Sequence, residues 1–230
     1  MPAGVFTPPG EIVDNQREEA IRRKQRPHIF RASKSECRGF NLAFGPKSMA
    51  AATITPDHDT ILAEVFIAAP PARVFEAITD PKQRAQWWGI KPSGSAEFPG
   101  AVPFRVTAAT SDLRVGGKWS NEGIRGEDQR FHLEGRYLEI DPPRLLVHTR
   151  IADFVGEFET VVRWELEARE IRGLHGSGTH KVGTGTLLRV RHSGFAGHLE
   201  QAHSHHEGWR VSMNWLKAFI ETGETYEMRN

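Results

Sequence analysis

Asp112 and Arg114 stand two residues apart in the run SDLRVGGKW, 111 to 119, ahead of a glycine pair and a tryptophan. On a strand the two charges project to one face, with Leu113 and Val115 on the other. Facing a pocket, the guanidinium would hold a ligand's carboxylate or carbonyl while the aspartate fixes its orientation. The preferred reading is plainer: a self-satisfied pair orders a strand end, and Gly116 and Gly117 supply the bend, with a pocket role for Arg114 left open. A phosphate loop is excluded, because that chemistry needs spaced glycines opening a helix, and these are adjacent with strand-like sequence on both sides. In the later GSGTHKVGTGT no Gly-Lys-Ser/Thr follows and no helix begins.

Histidines and tryptophans are the other residues with chemistry to offer. His148 sits mid-strand in LLVHTR and His192 ends RVRHSG. A buried strand histidine is more often hydrogen-bonded than basic. His198, His203, His205 and His206 crowd the start of a helix, but HSHHEGW brings no second carboxylate at ligand spacing, so no metal and no cofactor is expected. No nucleophile elbow is present, and Cys37 lies outside the regular part of the chain, so no catalytic residue is assigned and covalent catalysis has no apparatus. An enzyme built on this sequence would move protons within a pocket, using Arg114, Asp112 or His148. Trp88, Trp119, Trp164 and Trp209 fall where large aromatics would line a concave surface, with Ser212 on the same helical stripe as Trp209. The expected ligand-binding set is therefore Trp88, Arg114, Trp119, His148, Trp164, Trp209 and Ser212.

These residues need elements to hold them. The 230-residue chain is long enough for one sizeable core, and its formal charge of +1 gives no electrostatic case for nucleic acid. One cysteine allows no internal disulfide, and no apolar run reaches the roughly 20 residues of a membrane span. A cytoplasmic protein without membrane insertion is the expectation. Residues 1–58 are charged and sparse in periodic apolar residues, and are expected to be a poorly ordered extension carrying at most a short helix near 15–25. Arg22, Arg23, Lys24 and Arg26 are diluted by Glu18 and Glu19, which weakens the reading of a basic tail. An alternative start at Met49 would make the preceding residues dispensable.

From Thr60 the pattern is regular. TILAEVFIAA alternates as a strand, PPARVFEAITD opens a helix on proline, and DPKQRAQWWG starts a second with Asp80 as N-cap. Further strand candidates follow: PFRVTAATSDLRVGG, RFHLEGRYLEI, RLLVHTRI, EFETVVRWELEA and GTLLRVRHS. DPPR is read as a tight turn, and REIRGLHGSGTHKVGTG as a long, mobile hairpin loop. His198 to Thr222 forms an amphipathic helix. An antiparallel meander with one apolar face needs a cover, and only that helix is long enough, so the sheet should curl around it: an α+β helix-grip with a domain at 59–223 and a tail at 224–230.

Four pieces also resemble a known family: IAAPPARVFEAITDPKQRAQWWG, DLRVGGKW, GRYLEIDPPRLLVHT, and GTLLRVRHSGF leading to HHEGWRVSMNWLKAFIE. In this order they are similar to bacterial proteins related to the C-terminal domain of the activator of heat-shock protein 90 ATPase, within the START-like or SRPBCC superfamily. The resemblance covers about residues 60–222. It implies a helix-grip fold with a deep hydrophobic pocket, used across the superfamily for small apolar molecules. The expected function is binding of a small hydrophobic molecule. A cyclase, aromatase or lyase is the alternative, and a chaperone-associated interaction module, with a protein partner or a homodimer, the second.

Overall fold

The computed structural model describes residues 49–90, 102–153, 158–175 and 178–226, with backbone alone at 173–175 and 178–180. The basic cluster at 22–26, the helix expected near 15–25 and Cys37 lie outside the described residues. Within them, strands β1 (Ala51–Ile54) and β2 (Thr60–Ile67) lead to helices α1 (Pro71–Thr79) and α2 (Pro81–Trp87). Then come β3 (Gly89–Ile90), β4 (Phe104–Ser111), β5 (Lys118–Arg125), β6 (Gln129–Asp141), β7 (Leu145–Ala152), β8 (Thr160–His175), β9 (Gly178–Ser193) and helix α3 (Leu199–Thr222). Strand β1 falls within the stretch that the sequence assigns to the extension: Ala51 to Ile54 pair with Glu64 to Ile61 of β2.

The nine described strands form one antiparallel sheet in the order β1-β2-β9-β8-β7-β6-β5-β4-β3. Alternation explains its two faces. On β8, Val162, Trp164 and Leu166 are buried, while Arg163 and Arg169 between them pair outward with Glu139, Glu165 and Glu167. Register shifts between Val106 and Ala108, and between Tyr137 and Glu139, insert bulges that bend the sheet. The concave side so produced is closed by α3, whose Val211, Met213, Leu216 and Phe219 enter the main core. This is the α+β helix-grip expected from the sequence, with two short helices after the opening strands.

Local signals do what their chemistry requires. Asp80 caps α2, its Oδ1 accepting from the Lys82 N–H at 2.8 Å, and Pro81 occupies the first turn. Gly223, at φ 76°, ends α3 in the left-handed region. The glycine-rich segment corrects one expectation. In place of a loop beyond Ala168, β8 and β9 stay paired from Ala168↔Thr186 to His175↔Gly178. Backbone pairing needs no apolar face, and the projecting ladder carries charges that pair across it, as Lys181 does with Glu170 at 3.9 Å.

Candidate functional site

Period-two alternation aims side chains from five consecutive strands at one face of α3. Phe104 comes from β4, Trp119 and Asn121 from β5, Phe131 and Leu133 from β6, His148 and Arg150 from β7, Val162 and Trp164 from β8. Helix α2 and its end bring Arg84, Trp87 and Trp88, and α3 brings His205, Trp209, Ser212 and Trp215. Together they enclose a cavity of about 400 Å³. The exposed residues Val102 and Ser204 stand at its rim. All six tryptophans of the chain are in its wall.

Close approach of two strands makes room for one of these indoles. A Cβ on Gly135 would stand 1.9 Å from the carbonyl oxygen of Thr149 and 2.6 Å from Nε1 of Trp119, so only glycine fits. Trp119 then donates its N–H to the Thr149 carbonyl at 3.2 Å and presents its ring to His148, 4.9 Å away edge-on.

Three imidazoles are held neutral. Trp164 Nε1–H donates to His148 Nε2 at 3.1 Å, so that nitrogen is an acceptor and the proton resides on Nδ1, which faces the Thr149 carbonyl at 3.0 Å. Burial, aided by the nearby positive charges of Arg84 and Arg150, pushes the His148 pKa down to about 3. In the same way Trp209 Nε1–H donates to His192 Nδ1 at 2.9 Å, and His192 Nε2–H to Thr160 Oγ1 at 2.8 Å. Thr160 in turn donates to the Arg150 carbonyl at 3.0 Å. Burial drives His192 well below the ordinary imidazole range, with His205 and Arg150 adding to it. His205 accepts from Arg150 Nη1 at 2.7 Å and donates from Nδ1 to the Gln201 carbonyl at 2.8 Å, and burial lowers its pKa to about 3.

The cations of the wall are of a different kind. Arg84 donates to the Ile78 carbonyl, and its guanidinium carbon lies 5.3 Å from the centroid of the Trp119 ring. Arg150 makes its side-chain bond to neutral His205. Burial lowers the pKa of both, that of Arg150 to about 10, and a guanidinium in a protein stays charged at neutral pH. Arg125 also lines the wall, and no carboxylate does so among the described residues. Asn121 is 2 % exposed, and its Oδ1 is enclosed without a protein partner.

Of the seven residues expected to bind ligand, Trp88, Trp119, His148, Trp164, Trp209 and Ser212 are brought together in this wall. Arg114 is not. Strand β4 ends at Ser111, and Asp112 to Gly117 form the bend to β5, closed by Asp112 N–H to the Lys118 carbonyl at 2.9 Å and Gly117 N–H to the Arg114 carbonyl at 2.8 Å. Arg114 there pairs with Asp112 at 2.8 Å, their side chains 75 % and 52 % exposed. The alternating-strand placement of Asp112 and Arg114 is thereby corrected, and the preferred bend is what forms.

The helix-start histidines diverge. His198 stacks on Phe158 at 4.1 Å, His205 faces the cavity, and His206 Nε2 lies 2.9 Å from the Ala52 carbonyl. Among the described residues no group of three His, Cys, Asp or Glu side chains converges on a metal position. Sequence reasoning missed Arg84, Trp87, Asn121, Arg150, His205 and Trp215. Their signal was spacing: Asn121 is two residues beyond Trp119, Arg150 two beyond His148, and Arg84 three before Trp87.

No helix among the described residues is long and apolar enough to cross a membrane. Comparison with curated proteins finds no match. Solved structures similar to this chain include a protein of Chromobacterium violaceum, 24% identical with a TM-score of 0.50, covering 71% of this chain and 97% of that one. A Rhodobacter sphaeroides protein is 17% identical with a TM-score of 0.54, over 74% of this chain and 97% of that one. A Nitrosomonas europaea protein is 17% identical with a TM-score of 0.52, over 75% and 99%. These likenesses carry the fold. The family model described as Activator of Hsp90 ATPase homolog 1-like protein matches residues 68–174, from the end of β2 into β8. Through that segment, which holds α1, α2 and most of the cavity-facing strands, the chain is similar to the family of Activator of Hsp90 ATPase homolog 1-like proteins.

Proposed function

We propose that this domain binds a small hydrophobic molecule in the cavity between the sheet and α3. The observation that carries the reading is the wall itself: all six tryptophans, with Phe104 and Phe131, surround about 400 Å³. A volume of that size lies within the range of small-molecule sites, which are mostly apolar with a few placed polar groups. A core that only needed filling would close on itself, since interiors pack to crystal-like density. The superfamily's common use of this fold for hydrophobic ligands supports the same reading.

The pocket-enzyme alternative needs a free base. His148 spends its one lone pair on the Trp164 N–H, and Asp112 and Arg114 are paired outside the cavity, so the groups that such an enzyme would use do not converge. An interaction module with a filled interior fits less well than a binding domain, given the cavity.

Thermal unfolding in the presence of a panel of small apolar compounds tests the proposal. At 100 times its dissociation constant, a ligand stabilises by about 2.7 kcal/mol, or roughly 5–10 °C in a domain of this size. Ser212→Phe, which fills the cavity from α3, should abolish that shift while leaving the protein folded. A panel without effect on the wild-type protein would overturn the reading.

A further inference from the structure

Two of the three guanidinium groups in this wall of tryptophans, those of Arg84 and Arg150, pose a question of charge. Arg84 and Arg150 come from different elements, α2 and β7, yet both line one cavity and the charge of each acts on His148. Among the described residues neither has a carboxylate partner. Arg84 spends its bonds on a main-chain carbonyl and an indole face, and Arg150 on a neutral imidazole. A desolvated cation without an opposite charge is unfavourable, and nearby neutral dipoles only partly offset that. The histidines cannot act as counter-charges, because a histidine is either neutral or positive. Acidic side chains are plentiful elsewhere, where the outer sheet face pairs Arg163, Arg169 and Arg189 with glutamates. Exclusion of acids is confined to the inner face.

We infer that the ligand of this cavity is an amphipathic acid, with an apolar body against the tryptophans and a carboxylate between Arg84 and Arg150. This rests on the proposed binding function and narrows it to a chemical class. Guanidinium groups suit the task, since each offers several N–H donors in a fixed fork that matches a carboxylate. Arg150 keeps further N–H groups beyond the one given to His205, and the His205–Gln201 bond holds that imidazole in the tautomer that accepts from it. Arg84 is held by the Ile78 carbonyl at the end of α1 and by the Trp119 ring, so its position is set before ligand arrives. Preorganised charges of this kind strengthen the hold on an anion without reordering.

The test compares three probes that share one apolar body: 6-phenylhexanoate, 6-phenylhexan-1-ol and 6-phenylhexylamine, titrated calorimetrically into the full chain at pH 7. The acid is expected to bind at least about tenfold more tightly than the alcohol, and the amine more weakly than either, because a bond to a charged partner contributes more than one between neutral groups. Arg84→Gln and Arg150→Gln should each lower acid affinity by more than alcohol affinity, so that the preference for the acid narrows. The comparison on the wild-type protein stands even if a variant fails to fold. Equal or tighter binding of the alcohol overturns the anionic head and leaves hydrophobic binding intact. Binding by none of the three overturns both.

Discussion

Trp164 and His148 share one proton between two rings: the indole N–H points at Nε2 of the imidazole at 3.1 Å. That contact settles the tautomer of His148 and removes it from acid–base chemistry at neutral pH. Trp164→Phe keeps the ring and deletes the donor, leaving Nε2 buried without a partner. The variant should lose about 1–3 kcal/mol, and the imidazole should protonate more readily than in the parent. Denaturant midpoints and the pH titration of the His148 ring protons by NMR would register both changes. An unchanged titration would mean that the bond does not hold the tautomer.

Acid should weaken the fold through the same histidines. His148 and His205 titrate near 6.5 in an unfolded chain and near 3 in the folded protein, and His192 is displaced in the same direction. Between those values the unfolded state binds more protons, so stability is full above about pH 6.5 and falls as the pH drops toward 3. The slope is up to about 1.4 kcal/mol per pH unit for each histidine. Urea midpoints at pH 7 and pH 5, for the parent and for His148→Gln, would measure it. The variant should show a shallower loss.

Asn121 should prove more useful to binding than to stability. Its enclosed Oδ1 has no protein partner, so Asn121→Leu, which keeps the branch at Cγ and removes the unpaired acceptor, should raise stability by about 1–3 kcal/mol if the cavity takes up the added methyl volume. The same change removes a polar group from the cavity wall, and should weaken ligands that carry a hydroxyl more than those that do not. Thermal unfolding followed by calorimetry on one preparation checks both halves.

The surface pair should be nearly silent. Arg114→Ala removes an exposed ion pair to Asp112, and its effect on stability is expected within about 0.5 kcal/mol, with no change in affinity for any cavity ligand. A tenfold loss of ligand affinity in this variant would return Arg114 to the site.

Much of this molecule is legible from local rules. The strand alternation of TILAEVFI, the Asp80 cap and the stripe on α3 are one-dimensional signals, and the elements follow them. The aromatic part of the wall is legible too, because large rings near element ends must be buried somewhere and the concave face is where they fit. Arg84 and Arg150 were harder to see. A charged residue in PKQR-like or HTR-like surroundings reads as solvent-facing until its neighbours at helical or strand spacing are known to point inward, and that depends on how far the sheet curls. The long β8–β9 hairpin was hidden for another reason: its ladder is held by backbone pairing and cross-strand charges, and neither leaves an apolar period in the sequence.

The gathering of every tryptophan around one space also has an optical consequence. Intrinsic indole emission from this protein comes from the cavity wall alone, so its wavelength and yield report the polarity and occupancy of that space without a label. Trp164 and Trp209 stand edge to face with centroids 5.0 Å apart, close enough for their transitions to couple. Near-ultraviolet circular dichroism will therefore register the spacing of α3 from β8, and a ligand that parts them will announce itself in the spectrum of the protein.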